Sequence, residues 1–182
     1  VKVNMEAVPW GTCQDKSTTL AAAGDPVSLS YMGSRTLKQL GENNLIVPVT
    51  IPEKDQAKYQ PGILKTVSHM GKFWGFPHAF STKALFINCG MIEKAGMQCV
   101  GPHTWEGMYR MAKTVKDKLG VAGVGLVARD FDNTMHQFLN YLYSNGGQVI
   151  DPDTNKITLN SPQTIETLEF YGKLASVAQD GP

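Results

Sequence analysis

Hydrophobic positions along the chain switch repeatedly between two periods. Val1, Val3 and Met5 alternate with polar residues, as do Val27, Leu29 and Tyr31, and each set predicts a strand. Lys83–Asn88 (with Ala84, Leu85, Phe86 and Ile87) and Val124–Val127 are unbroken apolar runs, the pattern of strands buried on both faces. Between them the spacing becomes three or four. Asp15–Ala23 reads as a short helix stopped by Gly24-Asp25-Pro26, and Ser34 can cap a helix running through Leu37 and Leu40 to Asn43. Pro48, Pro52 and Pro61 leave room only for short helices, and Lys72–Pro77 reads as an aromatic strand or turn.

The second half is clearer. Met91–Ala95 is a short helix ended by Gly96. Thr104 caps a helix over Trp105–Lys118, with Trp105, Met108, Ala112, Val115 and Leu119 on its apolar stripe, Glu106 in its first turn and Lys116 and Lys118 in its last. Trp105 is therefore expected in the core. Met135, Phe138, Leu139 and Leu142 form one face of a further helix closed by Asn145-Gly146-Gly147. Gln148–Ile150 and Lys156–Leu159 suggest a hairpin around Asp151-Pro152-Asp153. Ser161-Pro162 opens a last helix through Ile165, Leu168, Gly172 and Ala175. Helices alternating with buried strands predict an α/β fold. The Pro-rich middle, followed by a fresh strand near Ala84, predicts two lobes, 1–80 and 81–182, with a crossing near Phe80 to Lys83.

Composition narrows the classes. The 182 residues carry 17 Lys and Arg against 16 Asp and Glu, with no basic run interleaved with aromatics, so nothing points to nucleic acid. No stretch is long and apolar enough to span a bilayer as a helix. Val1 opens directly into an alternating segment without a leader pattern, so the chain reads as a mature form or a fragment. Cys13, Cys89 and Cys99 match no zinc spacing. Cys89 and Cys99 flank a short helix and can meet as a disulfide in an oxidising compartment; free thiols are the commoner alternative.

Several catalytic or cofactor patterns fail on their context. Gly123-Val124-Gly125-Leu126-Val127-Ala128 fits the loose dinucleotide pattern, but its glycines follow a helix and enter a strand, the reverse of what pyrophosphate binding needs. Asp151-Pro152-Asp153-Thr154-Asn155 begins like a calcium loop, yet Lys156 holds the position that requires Gly and Pro162 the one that requires Glu. His69, His78, His103 and His136 share no ligand spacing, and no nucleophile elbow or P-loop occurs. No metal or cofactor is implied. An α/β enzyme, such as a transferase half-domain, would need Asp130 and Asp132, or His78, gathered in a cleft.

Three ordered segments resemble the extracellular solute-binding family that includes maltose-binding and glycerol-3-phosphate-binding proteins. Leu20–Pro26 with Val27–Tyr31, then Gly33-Ser34-Arg35 and Leu45–Pro48, looks like the family's helix, Gly-x-Pro-Asp turn, strand and ligand loop. Gly71-Lys72-Phe73-Trp74-Gly75-Phe76-Pro77, Leu85–Asn88, Glu93–Gly96, Pro102 and Thr104-Trp105-Glu106 look like its "GK-x-YG-x-P … L-x-YN … KAG … P-x-TW-E" signature. Asn145-Gly146-Gly147, with the following hairpin and helix, is the third. Val27-Ser28, Ile87 and Cys89-Gly90 depart from the family's usual residues.

The resemblance implies a two-lobed periplasmic-binding-protein-like fold of type II, about twice this length. The chain would be its first half without the opening strand and helix. Such a half is expected to pair with the remainder or with another copy. The implied function is the non-catalytic substrate-binding component of an ABC importer. It would be periplasmic or extracellular, tethered as a lipoprotein in one full-length form, and would deliver a small ligand to membrane permease subunits. A sensory ectodomain of the same fold is a further reading. A sugar or polyol is the expected ligand, held in an interlobe cleft by aromatic platforms and hydrogen-bonding groups, with hinge closure. By position the candidate ligand residues are Trp10, Ser34, Arg35, Phe80, Ser81, Asn133, Thr134 and His136.

Overall fold

The computed structural model describes residues 2–151 and 153–180. Val1 of the first predicted strand and Pro152 of the predicted hairpin turn lie outside them. The chain divides into two compact units, 1–82 and 83–182.

Unit one is built of short helices around a small core. Helix α1 spans Trp10–Ala22, starting five residues before the predicted one. It buries no residue fully, and it is held to the 30–31 segment by a Ser17–Ser30 hydroxyl contact of 2.7 Å and by Cys13 Sγ donating to Tyr31 O. A 3-10 turn at Ser34–Thr36 leads into α2, Leu37–Glu42. The predicted Ser34 cap is thus a residue of the turn. Helices α3 (Glu53–Gln56) and α4 (Pro61–Thr66) follow the prolines. Strands β1 (Ser68–His69) and β2 (Lys72–Phe73) form an antiparallel hairpin, with Val49 bridging to Phe73. Leu40, Ile51 and Val67 are buried here, and the Trp74 indole lies across Gly41 and donates to His69 O at 3.0 Å.

Unit two carries α5 (Cys89–Lys94), α6 (Trp105–Leu119), α7 (Asp132–Ser144) and α8 (Pro162–Ala175). The predicted caps hold. Thr104 Oγ1 accepts from Gly107 N–H at 3.0 Å and Ser161 Oγ from Thr164 N–H at 3.3 Å. A cap of this kind is worth about 1 kcal/mol. Helix α6 packs on both sides. Trp105, Met108, Tyr109 and Ala112 join Leu126, Phe170, Leu174, Val177 and Ala178 in one cluster. Met111, Val115 and Leu119 join Ile92, Ala95 and Cys99 in a second. Trp105 stacks on Phe170 with ring centres 4.6 Å apart, and so is a packing residue as expected. Cys89 and Cys99 are bonded, with Cα atoms 5.1 Å apart, closing the loop that contains α5.

The helical half of the α/β expectation is present and the strand half largely is not. Residues 2–9, 27–31 and 83–88 form no strand, and the hairpin expected at 148–159 is reduced to one bridge, Ile150 to Ile157. Leu29 is 85% exposed and Phe86, expected to be buried, is 91% exposed. A helix satisfies its backbone internally, whereas a strand needs a neighbour for every alternate N–H and C=O. Among the described residues, 2–9, 27–31 and 83–88 have no strand paired beside them. Helix α8 also reverses its predicted face. It buries Thr164, Thr167, Phe170 and Leu174, while Ile165 and Leu168 are more than half exposed. Thr167 is accommodated because its hydroxyl donates to Gln163 O at 2.6 Å, inside its own helix.

Candidate functional site

In unit one, one candidate residue belongs to a set of exposed rings. Trp10, placed by sequence at a strand end, is the first residue of α1 and is 44% exposed. Its ring lies 5.8 Å from that of Tyr31 at a tilt of 55°. Tyr31 in turn meets His78 edge-on at 5.3 Å. Tyr31 and His78 were not among the predicted ligand residues. Tyr31 closes the second alternating segment, immediately before Gly33-Ser34-Arg35, and that position was the available signal. Ser34 and Arg35 sit in the 3-10 turn, and the Arg35 guanidinium folds back over Gly33. Phe80 is 69% exposed and Ser81 is exposed, both in irregular chain. A groove of about 730 Å³ lies between α1 and α2, lined by Gln14, Asp15, Thr18, Thr36, Gln39 and Asn43 among others; none of the predicted residues lines it.

In unit two the candidates occupy the first two turns of α7. Asn133 is exposed, and Thr134 Oγ1 donates to Arg129 O. His136 Nε2 lies 3.9 Å from Asp132 Oδ1, one turn back. Its Nδ1 is buried and makes no hydrogen bond among the described residues. The next side chain, Gln137, bonds through both ends of its amide. Its Oε1 accepts from Val127 N–H at 2.7 Å and from the Tyr171 hydroxyl at 2.8 Å, and its Nε2 donates to Gly125 O at 3.0 Å. Burial pushes the Tyr171 phenol up to about 12, with the neighbouring Tyr141 adding to the rise.

Of the groups an enzyme reading would need, His78 belongs to the first unit and meets Tyr31 edge-on, and Asp130 and Asp132 belong to the second, where Asp132 begins α7. Among the described residues no cluster of three His, Cys, Asp or Glu side chains is arranged to hold a metal. Asp151, the first residue of the calcium-like stretch, spends Oδ1 on the N–H groups of Asp153 and Thr154, both at 2.9 Å. Those two bonds hold its carboxyl below the usual aspartate range. It is an acidic turn residue.

Comparison with known proteins agrees with the motifs. A binding protein of Brucella abortus (strain 2308) is 26% identical over 189 residues, covering 100% of this chain and 43% of that protein. The arabinooligosaccharide-binding protein of Bacillus subtilis is 24% identical, covering 87% of this chain and 39% of the relative. The chain thus spans less than half the length of the relatives it matches. Among solved structures, an ABC transporter solute-binding protein of Thermotoga lettingae bound with alpha-D-tagatose superposes with a TM-score of 0.80 at 24% identity, over 94% of this chain and 46% of that one. The maltose-bound MalE3 of T. maritima gives 0.66 at 24% identity, over 86% and 40%. These likenesses show a periplasmic-binding-protein-like fold, although the strands expected of it are largely unpaired here. The family model described as bacterial extracellular solute-binding protein matches residues 1–181, and the chain belongs to that family.

Proposed function

We propose that the chain is part of the non-catalytic solute receptor of an ABC importer, acting outside the cytoplasmic membrane, and that its ligand is a sugar or oligosaccharide. Family membership supports the receptor role. The names of similar proteins, which include tagatose, maltose and arabinooligosaccharide binders, support the ligand class.

The observation that carries the carbohydrate reading is the exposed trio Trp10, Tyr31 and His78. A sugar ring offers a weakly apolar C–H face and a rim of hydroxyls. Covering one face with an indole is worth on the order of 1 kcal/mol by area. Ser34 and Arg35 in the first unit, and Asn133, Thr134 and His136 in the second, supply the complementary donors and acceptors. Phe80 and Ser81 lie beside the boundary of the two units, where a hinge would run. Closure on the ligand requires that the closed form bind it more tightly than the open one.

The test is calorimetric titration of the full-length protein with D-tagatose, maltose and an arabinooligosaccharide, alongside native mass spectrometry of the protein as isolated. At least one sugar is expected to bind without being converted, and Trp10→Ala is expected to weaken it about tenfold. A peptide, metal or phosphate-bearing ligand in the native spectrum, with no sugar binding, would overturn the carbohydrate assignment. Turnover of a bound sugar would overturn the receptor assignment.

A further inference from the structure

Residues 124–127 form no strand, and their one ladder contact among the described residues is the parallel bridge from Val124 to Ala178. Two glutamine side chains take the backbone groups that neighbouring strands would normally take. Gln179 accepts from Leu126 N–H at 3.0 Å and donates to Leu126 O. Gln137 accepts from Val127 N–H and donates to Gly125 O. Leu126 bonds Gln179 while its neighbours Gly125 and Val127 bond Gln137, the alternation between two edges that a strand shows. Both amides use donor and acceptor together, as a paired strand would.

The two clamps differ in what they carry. Gln179 lies beyond the end of α8 and bears no candidate ligand residue. Gln137 lies on the opening turns of α7, one residue after His136, three after Thr134 and four after Asn133. Its Oε1 also lies 2.8 Å from the Tyr171 hydroxyl of α8, whose single proton is shared between it and Val127 O at 2.6 Å. Leu126, in the middle of the clamped segment, is 5% exposed and belongs to the main core cluster. Two bonds on one amide therefore tie α7 to a segment anchored in that core, and a third ties it to α8.

We infer that Gln137 is a positioning residue: its amide, held between Gly125, Val127 and Tyr171, fixes the orientation of the first two turns of α7 and so aims Asn133, Thr134 and His136 at the ligand. The aiming clause rests on the proposed ligand role of those three residues; the fixing of the turns does not.

Gln179 provides the control. In the full-length protein, Gln137→Leu and Gln179→Leu each remove two hydrogen bonds from the same segment, and each is expected to lower stability. Backbone amide exchange at 132–136, measured where both variants are fully folded, is expected to quicken about tenfold in Gln137→Leu and to stay within twofold of the parent in Gln179→Leu. Affinity for whichever of D-tagatose and maltose the parent binds is expected to fall about tenfold in the first variant and less than twofold in the second. If Gln137→Leu does not fold, Tyr171→Phe removes the hydroxyl's contact to Gln137 Oε1 together with its contact to Val127 O, keeps both bonds from the Gln137 amide to the segment, and is expected to shift exchange in the same direction by a smaller factor. Unchanged exchange at 132–136 in Gln137→Leu, or an equal rise in Gln179→Leu, overturns the positioning role. If the exchange result holds while Asn133→Ala and Thr134→Ala leave sugar affinity intact, positioning of the turns stands and their ligand role falls. If neither sugar binds the parent, exchange alone decides.

Discussion

A β-carbon placed on Gly123 would stand 1.9 Å from the carbonyl oxygen of Ala112 and 2.7 Å from its Cα. Here the chain passes against the backbone of α6, and Gly123 N–H donates to Val177 O at 2.9 Å, so it cannot simply retreat. Gly125, two residues on, would meet nothing within 4 Å. That contrast accounts for the first glycine of the dinucleotide-like pattern by packing, with no phosphate to hold. Gly123→Ala is therefore expected to destabilise the protein by about 3 kcal/mol, the upper end for overpacking. Gly125→Ala is expected to cost about 1 kcal/mol or less. Urea unfolding of the two variants checks this, and equal effects would contradict the close approach. At the same scale the sequence disclosed Trp10 as a candidate through its position after the first apolar alternation. It did not disclose Tyr31 or His78, because ring-to-ring contact between residues 10, 31 and 78 is a tertiary fact that no local spacing encodes.

Elements were legible in proportion to how local their determinants are. Helices α6 and α8 announced themselves by Thr104 and by Ser161-Pro162, whose hydroxyl caps bond three residues away. Residues 27–31 and 83–88 have the composition of strands but lack the partners that make one. Helix α8 misled for another reason. Its apolar residues occupy more than one face, and the stripe through Ile165 and Leu168 lost to the face of Phe170 and Leu174, with two threonines buried between. The same helix carries a pH prediction. Tyr171 titrates at about 12 in the folded protein, against about 10 for a tyrosine in an unfolded chain. Between those values the unfolded state gives up the proton first, so stability is whole below pH 10 and is lost as pH rises through 12. Thermal melts from pH 9 to 12 should show a loss that is smaller in Tyr171→Phe. An identical loss in that variant would show that the phenol does not contribute.

At the scale of the whole molecule, the unmade strands leave apolar side chains in water. Val3 (78% exposed), Met5 (92%), Leu29 (85%) and Phe86 (91%) all come from segments whose sequence expects a sheet. An extended, apolar segment with unpaired backbone groups is a template for another chain, since pairing satisfies its N–H and C=O groups while covering its side chains. The formal net charge of +1 opposes such contact only weakly. The 182-residue chain is therefore expected to self-associate at concentrations of about 10 µM and above, with the run 83–88 as a principal contact. Light scattering against concentration reads this directly. Phe86→Lys places a charge where the pairing face must close, and is expected to shift the chain toward monomer with little loss of stability, because Phe86 packs on almost nothing. A parent chain that stays monodisperse at 100 µM would show that these segments are adequately protected as they stand. A Phe86→Lys variant that associates as strongly as the parent would move the contact to the other exposed segments, 2–9 and 27–31.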